Sequence, residues 1–136
     1  MDYQALVNSR NERNLFAKRV GALVTEISQG YARVEKTVEP DDTNPVGVPH
    51  GGVYFTMADN ACGSAMATHG CMAVTVNASY NFFRSAKVGD HLIAEAREVK
   101  PGRTLAVFDV HITNQEDILV GTGTFTLYNL GKKIEL

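Results

Sequence analysis

The sequence predicts an α+β fold in which one antiparallel sheet of about six strands wraps around a single long helix. Three observations lead there. The stretch 51–69 carries Ala58, Ala61, Cys62, Ala65 and Met66 at helical spacing. Most of these residues are small, so other backbone can approach on most sides, as suits a helix enclosed by a sheet. On either side of it, segments alternate apolar and polar residues with a period of two. Those that follow it are separated by short turns, and successive hairpins make an antiparallel sheet.

Each element follows from its own pattern. Residues 1–20 place Leu6, Val7, Leu15 and Phe16 among polar residues, which predicts one or two amphipathic helical segments ending near Gly21. These form an N-terminal cap on the sheet. Ala22 to Ser28 and Tyr31 to Val38 read as a hairpin around Gln29-Gly30. The loop from Glu39 to Pro49 contains Pro45 and Pro49, which forbid regular structure there. Gly70 is placed to cap the long helix. Cys71 to Arg84 puts Val74, Val76, Ala78 and Tyr80 on one face and Thr75, Asn77 and Ser79 on the other. His91 to Val99, Thr104 to Thr113 and Ile118 to Tyr128 complete the strands, and Gly131 to Leu136 reads as a tail. One helix covers only part of a six-stranded sheet, so a partner subunit is expected to finish the burial.

Composition narrows the function classes. The 136 residues form one domain, 1–136, by size, and 44% hydrophobic content suits a globular fold. A net charge of −2 gives no case for nucleic acid or an anionic membrane as partner. No apolar run reaches the ~18 residues of a membrane span, and no signal peptide is recognisable. Cys62 and Cys71 are too few for a disulfide framework, which points to a reduced, cytoplasmic setting. His50, His69, His91 and His111 show no ligand spacing with each other or with the cysteines, so no metal is expected. No serine sits in a nucleophile elbow, and no histidine is placed to activate Cys62.

The chemistry concentrates between Asn44 and Cys62. Gly51 and Gly52 open the helix, where the first amides lack internal partners and face the positive end of the macrodipole. Glycine lets a substrate carbonyl approach that backbone, as an oxyanion hole requires. Asp59 is a lone carboxylate on an apolar helix, where poor solvation of its charge suits it to act as base or nucleophile. Gly51 and Asp59 lie eight residues apart, roughly 12 Å along one helix at ~1.5 Å per residue. One carbonyl carbon cannot sit within ~3 Å of both. If both act, they come from different subunits of a two-fold dimer with antiparallel helices. Arg84, Lys87 and Arg103 stand at strand ends and turns, where basic groups can meet phosphates. Tyr54, Phe55, Phe82 and Phe83 are candidates to line an acyl pocket, with core packing the first reading for all four.

These pieces together resemble the hotdog-fold acyl-CoA thioesterases of the PaaI-like (phenylacetic acid degradation) branch. The resemblance rests on Asn44-Pro-x-Gly-x-x-His50-Gly51-Gly52 followed by Ala58-Asp59-Asn60-Ala61. Phe16-Ala-x-x-x-Gly21, Val74-Thr75-Val76 and Ala86-Lys-Val-Gly89-Asp90 extend it over nearly the whole chain. It implies hydrolysis of acyl-CoA without metal or bound cofactor, coenzyme A being part of the substrate. It also implies a homodimer with a continuous sheet, and often a dimer of dimers (a homotetramer). By resemblance Asn44 binds near the attacking water or the thioester carbonyl, His50 orients the loop or substrate, and Thr75 positions the water beside Asp59. The turn at Arg103 is the favoured phosphate contact on the same ground. Two rivals stand beside this reading: a hotdog hydratase or dehydratase, and a non-catalytic acyl-CoA-binding protein. The acyl group and the choice between nucleophilic and general-base attack stay open.

Overall fold

The computed structural model describes residues 1–136. Two short helices, α1 (Tyr3–Arg13) and α2 (Leu15–Val20), come first. Asp2 caps α1 by accepting from the Ala5 amide at 3.0 Å. Asn14 caps α2 by accepting from Ala17 at 3.1 Å, and Gly21 closes it in the left-handed conformation. Leu6 and Val7 are buried as the pattern requires. Leu15 and Phe16 are exposed, because α2 is only six residues long and buries Ala17 alone.

The strands are β1 (Leu23–Ser28), β2 (Tyr31–Thr37), β3 (Cys71–Phe82), β4 (His91–Lys100), β5 (Leu105–Thr113) and β6 (Leu119–Lys133). The long helix α3 (Gly51–Ala67) separates β2 from β3. All six strands join one antiparallel sheet in the order β1-β2-β4-β5-β6-β3. The residues read as a tail are corrected in part: β6 runs through Gly131 to Lys133, because Lys133 pairs with Cys71 at the start of β3. The helix ends at Ala67 with Thr68 as its cap, and left-handed Gly70 follows two residues later. No helix is long and apolar enough to cross a membrane.

Met57, Ala58, Ala61, Cys62, Ala65 and Met66 of α3 are wholly enclosed against the sheet. The enclosure is not complete. Gly52 and Phe55 are exposed and Thr56, Asp59 and Gly63 are half-buried, so one stripe of α3 stays open. The sheet curves over one side of the helix and leaves the other uncovered.

The two edges of the sheet differ. At β1, the Asn11 carboxamide donates to Val24 O and accepts from Val24 N, both at 2.8 Å. It occupies the place of a further strand and blunts that edge. At the other edge β3 runs for twelve residues without such a cover.

Strand β3 also corrects the expected alternation. Thr75 pairs with Leu127 and Asn77 with Thr126, which leaves Val76 as an extra, bulged residue. Ala73 and Thr75 face α3 before the bulge, and Ala78 and Tyr80 face it after. Val74 and Val76 are about half exposed, at 47% and 54%. Tyr80 lies over Gly121, where an added Cβ would come 2.3 Å from its hydroxyl.

Candidate active site

The loop before α3 is tied down from several sides. Lys36 is buried, and its Nζ meets Asp42 at 2.9 Å and the Val20 carbonyl. Asp42 in turn accepts from the His50 amide through its carbonyl at 2.8 Å. The Asn44 side-chain oxygen accepts from Val46 N at 3.0 Å and Val48 N at 3.3 Å. That is turn chemistry: it shapes the loop and leaves only the Asn44 Nδ2 end free of loop duties.

His50 is the N-cap of α3, and its Nδ1 accepts from the Gly52 amide at 2.8 Å. Val53 N donates to His50 O at 2.9 Å. The Gly51 amide donates to no group of the chain. Of the two glycines, then, Gly51 carries the open donor, and Gly52 gives its own to the cap. Gly51 also borders a cavity of about 220 Å³ with Pro49, Tyr54, Phe82, Phe83, Arg84 and Ser85. Tyr54 is buried and accepts from Ala86 N at 2.9 Å, while Phe55, Phe82 and Phe83 are substantially exposed. Core packing therefore accounts for Tyr54 but not for the three phenylalanines. They lie along the open stripe of α3 and at the end of β3.

Asp59 sits two turns further along the same helix, half-buried rather than enclosed. The Thr75 hydroxyl donates to its Oδ1 at 2.6 Å. Thr75 thus faces the acid and not solvent, and one carboxylate oxygen is held while Oδ2 stays free. Burial pushes the Cys62 thiol well above its ordinary pKa, and the charge of Asp59 adds to this. Both effects keep Cys62 protonated and out of nucleophilic chemistry.

The basic candidates separate. Exposed Arg84 lines the Gly51 cavity, and exposed Lys87 stands three residues on in the turn before β4. Arg103 is at the far end of the sheet, where its carbonyl accepts from Asn129 at 3.1 Å and Asn129 pairs with Ala73. Within one chain it cannot share a ligand phosphate with Arg84.

Sequence reasoning missed a polar network beside Asp59. The Arg10 guanidinium reaches across α3 to Ser64 Oγ at 3.0 Å and Asn60 Oδ1 at 3.4 Å. Asn60 is buried, donates to Ala22 O at 3.0 Å, and also accepts from Asn14 at 3.3 Å. The only available signal was a polar pair, Asn60 and Ser64, one turn apart on an otherwise apolar helix.

With this geometry in place, comparison with known proteins is informative. The family model described as the thioesterase superfamily matches residues 46–120. The acyl-coenzyme A thioesterase PaaI of Escherichia coli is 32% identical over 105 residues, 77% of this chain and 75% of that protein. Its solved structure superposes with a TM-score of 0.92 over 97% of this chain and 96% of that one, at 28% identity. Human acyl-coenzyme A thioesterase 13 is 30% identical over 82% of this chain and 79% of its own length. A hypothetical thioesterase of Streptococcus pneumoniae, solved with coenzyme A, gives a TM-score of 0.79 at 30% identity, covering 87% and 99% of the two chains. Two further structures of that protein carry an aspartate-to-alanine and a threonine-to-alanine substitution. The chain belongs to the thioesterase superfamily, as a PaaI-like protein with the hotdog fold.

Proposed function

We propose that this protein hydrolyses acyl-CoA thioesters to free acid and coenzyme A at sites shared between two subunits. The observation that carries this is the division of labour on α3: an open amide at Gly51 and a hydroxyl-held carboxylate at Asp59, on one unbroken helix. The Gly51 amide polarises the thioester carbonyl and holds the oxyanion as it forms. Asp59 either takes a proton from the attacking water or adds to the carbonyl itself, and Thr75 keeps its Oδ1 in place. Collapse of the tetrahedral intermediate breaks the C–S bond and releases the coenzyme A thiolate; on the nucleophilic route water then hydrolyses the acyl anhydride on Asp59, giving the free acid and restoring the carboxylate. Every one of these roles is filled by a group of the chain, with no metal and no bound cofactor.

The dimer follows from the open features. Two β3 edges paired antiparallel about a two-fold axis continue the sheet and lay two α3 helices side by side. Gly51 of one subunit then faces Asp59 of the other, and the Arg103 end of one sheet meets the Arg84 end of its neighbour. Arg84 and Lys87, with Arg103 from across the axis, are placed for the phosphates of coenzyme A. Gly52 leaves room at the mouth, and Asn44 and His50 shape the loop that admits the thioester. The substituted aspartate and threonine of the Streptococcus pneumoniae structures are 16 positions apart, as are Asp59 and Thr75. The free, buried Cys62 and Cys71 suit a reducing, cytoplasmic setting.

The test is release of free thiol, read with DTNB over an acyl-CoA panel, together with sedimentation at falling protein concentration. Release that requires Asp59 and disappears as the dimer dissociates supports the reading. Binding of acyl-CoA without release favours a carrier, and a product bearing an added or lost water at the acyl chain favours a hydratase or dehydratase. A fully active monomer defeats the shared site.

A further inference from the structure

A second hollow of the chain opens one helical turn beyond Asp59. It measures about 390 Å³ and runs between α1, α3 and the start of β3. Its walls mix apolar residues, among them Leu6, Met72 and Ile134, with polar ones, and Gly63 belongs to the lining. Gly63 has the place four residues after Asp59 on the open stripe of α3, so the hollow begins about 6 Å along the helix from the acid. An added Cβ there would come within 3.1 Å of Arg10 Nη2, so the glycine gives the guanidinium its space.

Arg10 is the unusual member. Among the cations drawn in from solvent, Lys36 lies against a carboxylate, that of Asp42. Arg10 does not: its partners, Ser64 Oγ and Asn60 Oδ1, are neutral. A guanidinium carries five N–H donors, and two of them are used here. Burial lowers its pKa and the charge of Asp59 raises it again, yet no carboxylate pairs with it directly. A cation with spare donors at the wall of such a hollow is matched by an anion, best a carboxylate held by two parallel bonds. Arg13 at the same hollow adds positive charge, and exposed Glu135 is the one carboxylate at its lining.

We propose that this hollow receives the acyl group, and that Arg10 selects acyl chains ending in a carboxylate. This rests on the acyl-CoA hydrolysis reading and names the substrate class for it. The thioester carbon lies at Asp59, the methylenes cross Gly63 toward Leu6 and Met72, and the terminal carboxylate meets the free edge of the guanidinium. Arg10 is thus a specificity residue for the acyl end.

The experiment compares matched pairs of esters: succinyl with butyryl, glutaryl with pentanoyl, and adipyl with hexanoyl-CoA. Coenzyme A is common to each pair, so contacts to its phosphates cancel. In the wild type kcat/KM is expected to favour at least one dicarboxylic ester over its partner roughly tenfold or more, as a charge-assisted pair predicts. Arg10→Met is expected to erase that preference by lowering kcat/KM for the dicarboxylic ester roughly tenfold more than for its monocarboxylic partner, with Arg10→Lys in between. A wild type that prefers the monocarboxylic ester at every length overturns the proposal without any variant. So does an equal loss for both esters in Arg10→Met, which marks Arg10 as a pin between α1 and α3. If no ester is hydrolysed, the hydrolytic reading has failed; calorimetric titration of the same pairs onto the wild type still decides whether the hollow prefers the carboxylate.

Discussion

In the proposed mechanism the two halves of α3 reach their chemistry by opposite means. At Gly51 the working group is backbone, an amide left over because His50 claims the Gly52 amide instead. At Asp59 it is a side chain, held by Thr75 from a strand 16 residues away. A backbone donor needs only a helix start and clearance above it. A carboxylate needs tertiary partners, and every one of them is a place where a substitution can act. The contrast teaches where to cut: the first half is disabled by removing an N–H, the second by changing single atoms.

The largest expected effect is at the acid. Asp59→Asn keeps the shape and removes the carboxylate, and kcat is expected to fall by ~10³ or more with little change in Tm. Gly51→Pro tests the other half. Proline is tolerated at the first helical position, and His50 already has the extended backbone, ψ 140°, that precedes proline. It deletes the amide without ending the helix, so kcat is expected to drop by about 10²–10³ while the thermal transition holds. If Gly51→Pro is fully active and Asp59→Asn is dead, the donor half of the contrast is wrong. Thr75→Val is isosteric and frees Asp59 Oδ1. A hydrogen bond to a charged group is worth about 1.5–3 kcal/mol, so activity is expected to fall roughly 10- to 100-fold, and Thr75→Ser is expected to restore most of it.

His50→Ala separates shape from chemistry. Loss of an N-cap costs about 0.5–2 kcal/mol, read as a lower denaturation midpoint, with a smaller change in kcat than either Gly51→Pro or Asp59→Asn. The smallest effect is expected on the outer face of the sheet, away from both halves. There the Tyr31 hydroxyl donates to Glu95 at 2.5 Å and holds that carboxyl below its usual range, helped by His111 and Arg97. Because the folded-state value is depressed, the stabilisation is present above about pH 4.3, the unfolded carboxylate value, and is lost as pH falls through the folded value. Tyr31→Phe is therefore expected to lower stability by less than about 1 kcal/mol at pH 7, less still in acid, and to leave kcat alone.

Much of this was legible in the chain. The helical spacing of Ala58, Ala61, Cys62, Ala65 and Met66 identified the enclosed helix, and the eight-residue gap from Gly51 to Asp59 already spoke against one local site. What stayed hidden was tertiary. Nothing local distinguishes Gly51 from Gly52 until His50 is seen to cap one of them. Arg10 reads as an ordinary charge on a polar helix, and its passage over Gly63 depends on how α1 docks. Asn11 gives no sign that it will finish a sheet edge. Val74 and Val76 turn away from α3, against the expected face, because alternation carries no record of a bulge, which shows itself only in the register against β6.

That bulge has a further consequence. Thr75 and Tyr80 differ in parity, so a regular strand would send them to opposite sides; the extra Val76 brings both under α3. In effect β3 is two half-strands with independent phase. The first is tuned to the acid of its own subunit, and the second, ending in Phe82, to the cavity at Gly51. A drifting sequence can then alter the lining near Phe82 without disturbing the hold on Asp59, whereas deleting Val76 re-phases one half against the other. The cavity at Gly51 can change while Asp59 stays held, and one supernumerary residue is the joint that allows it.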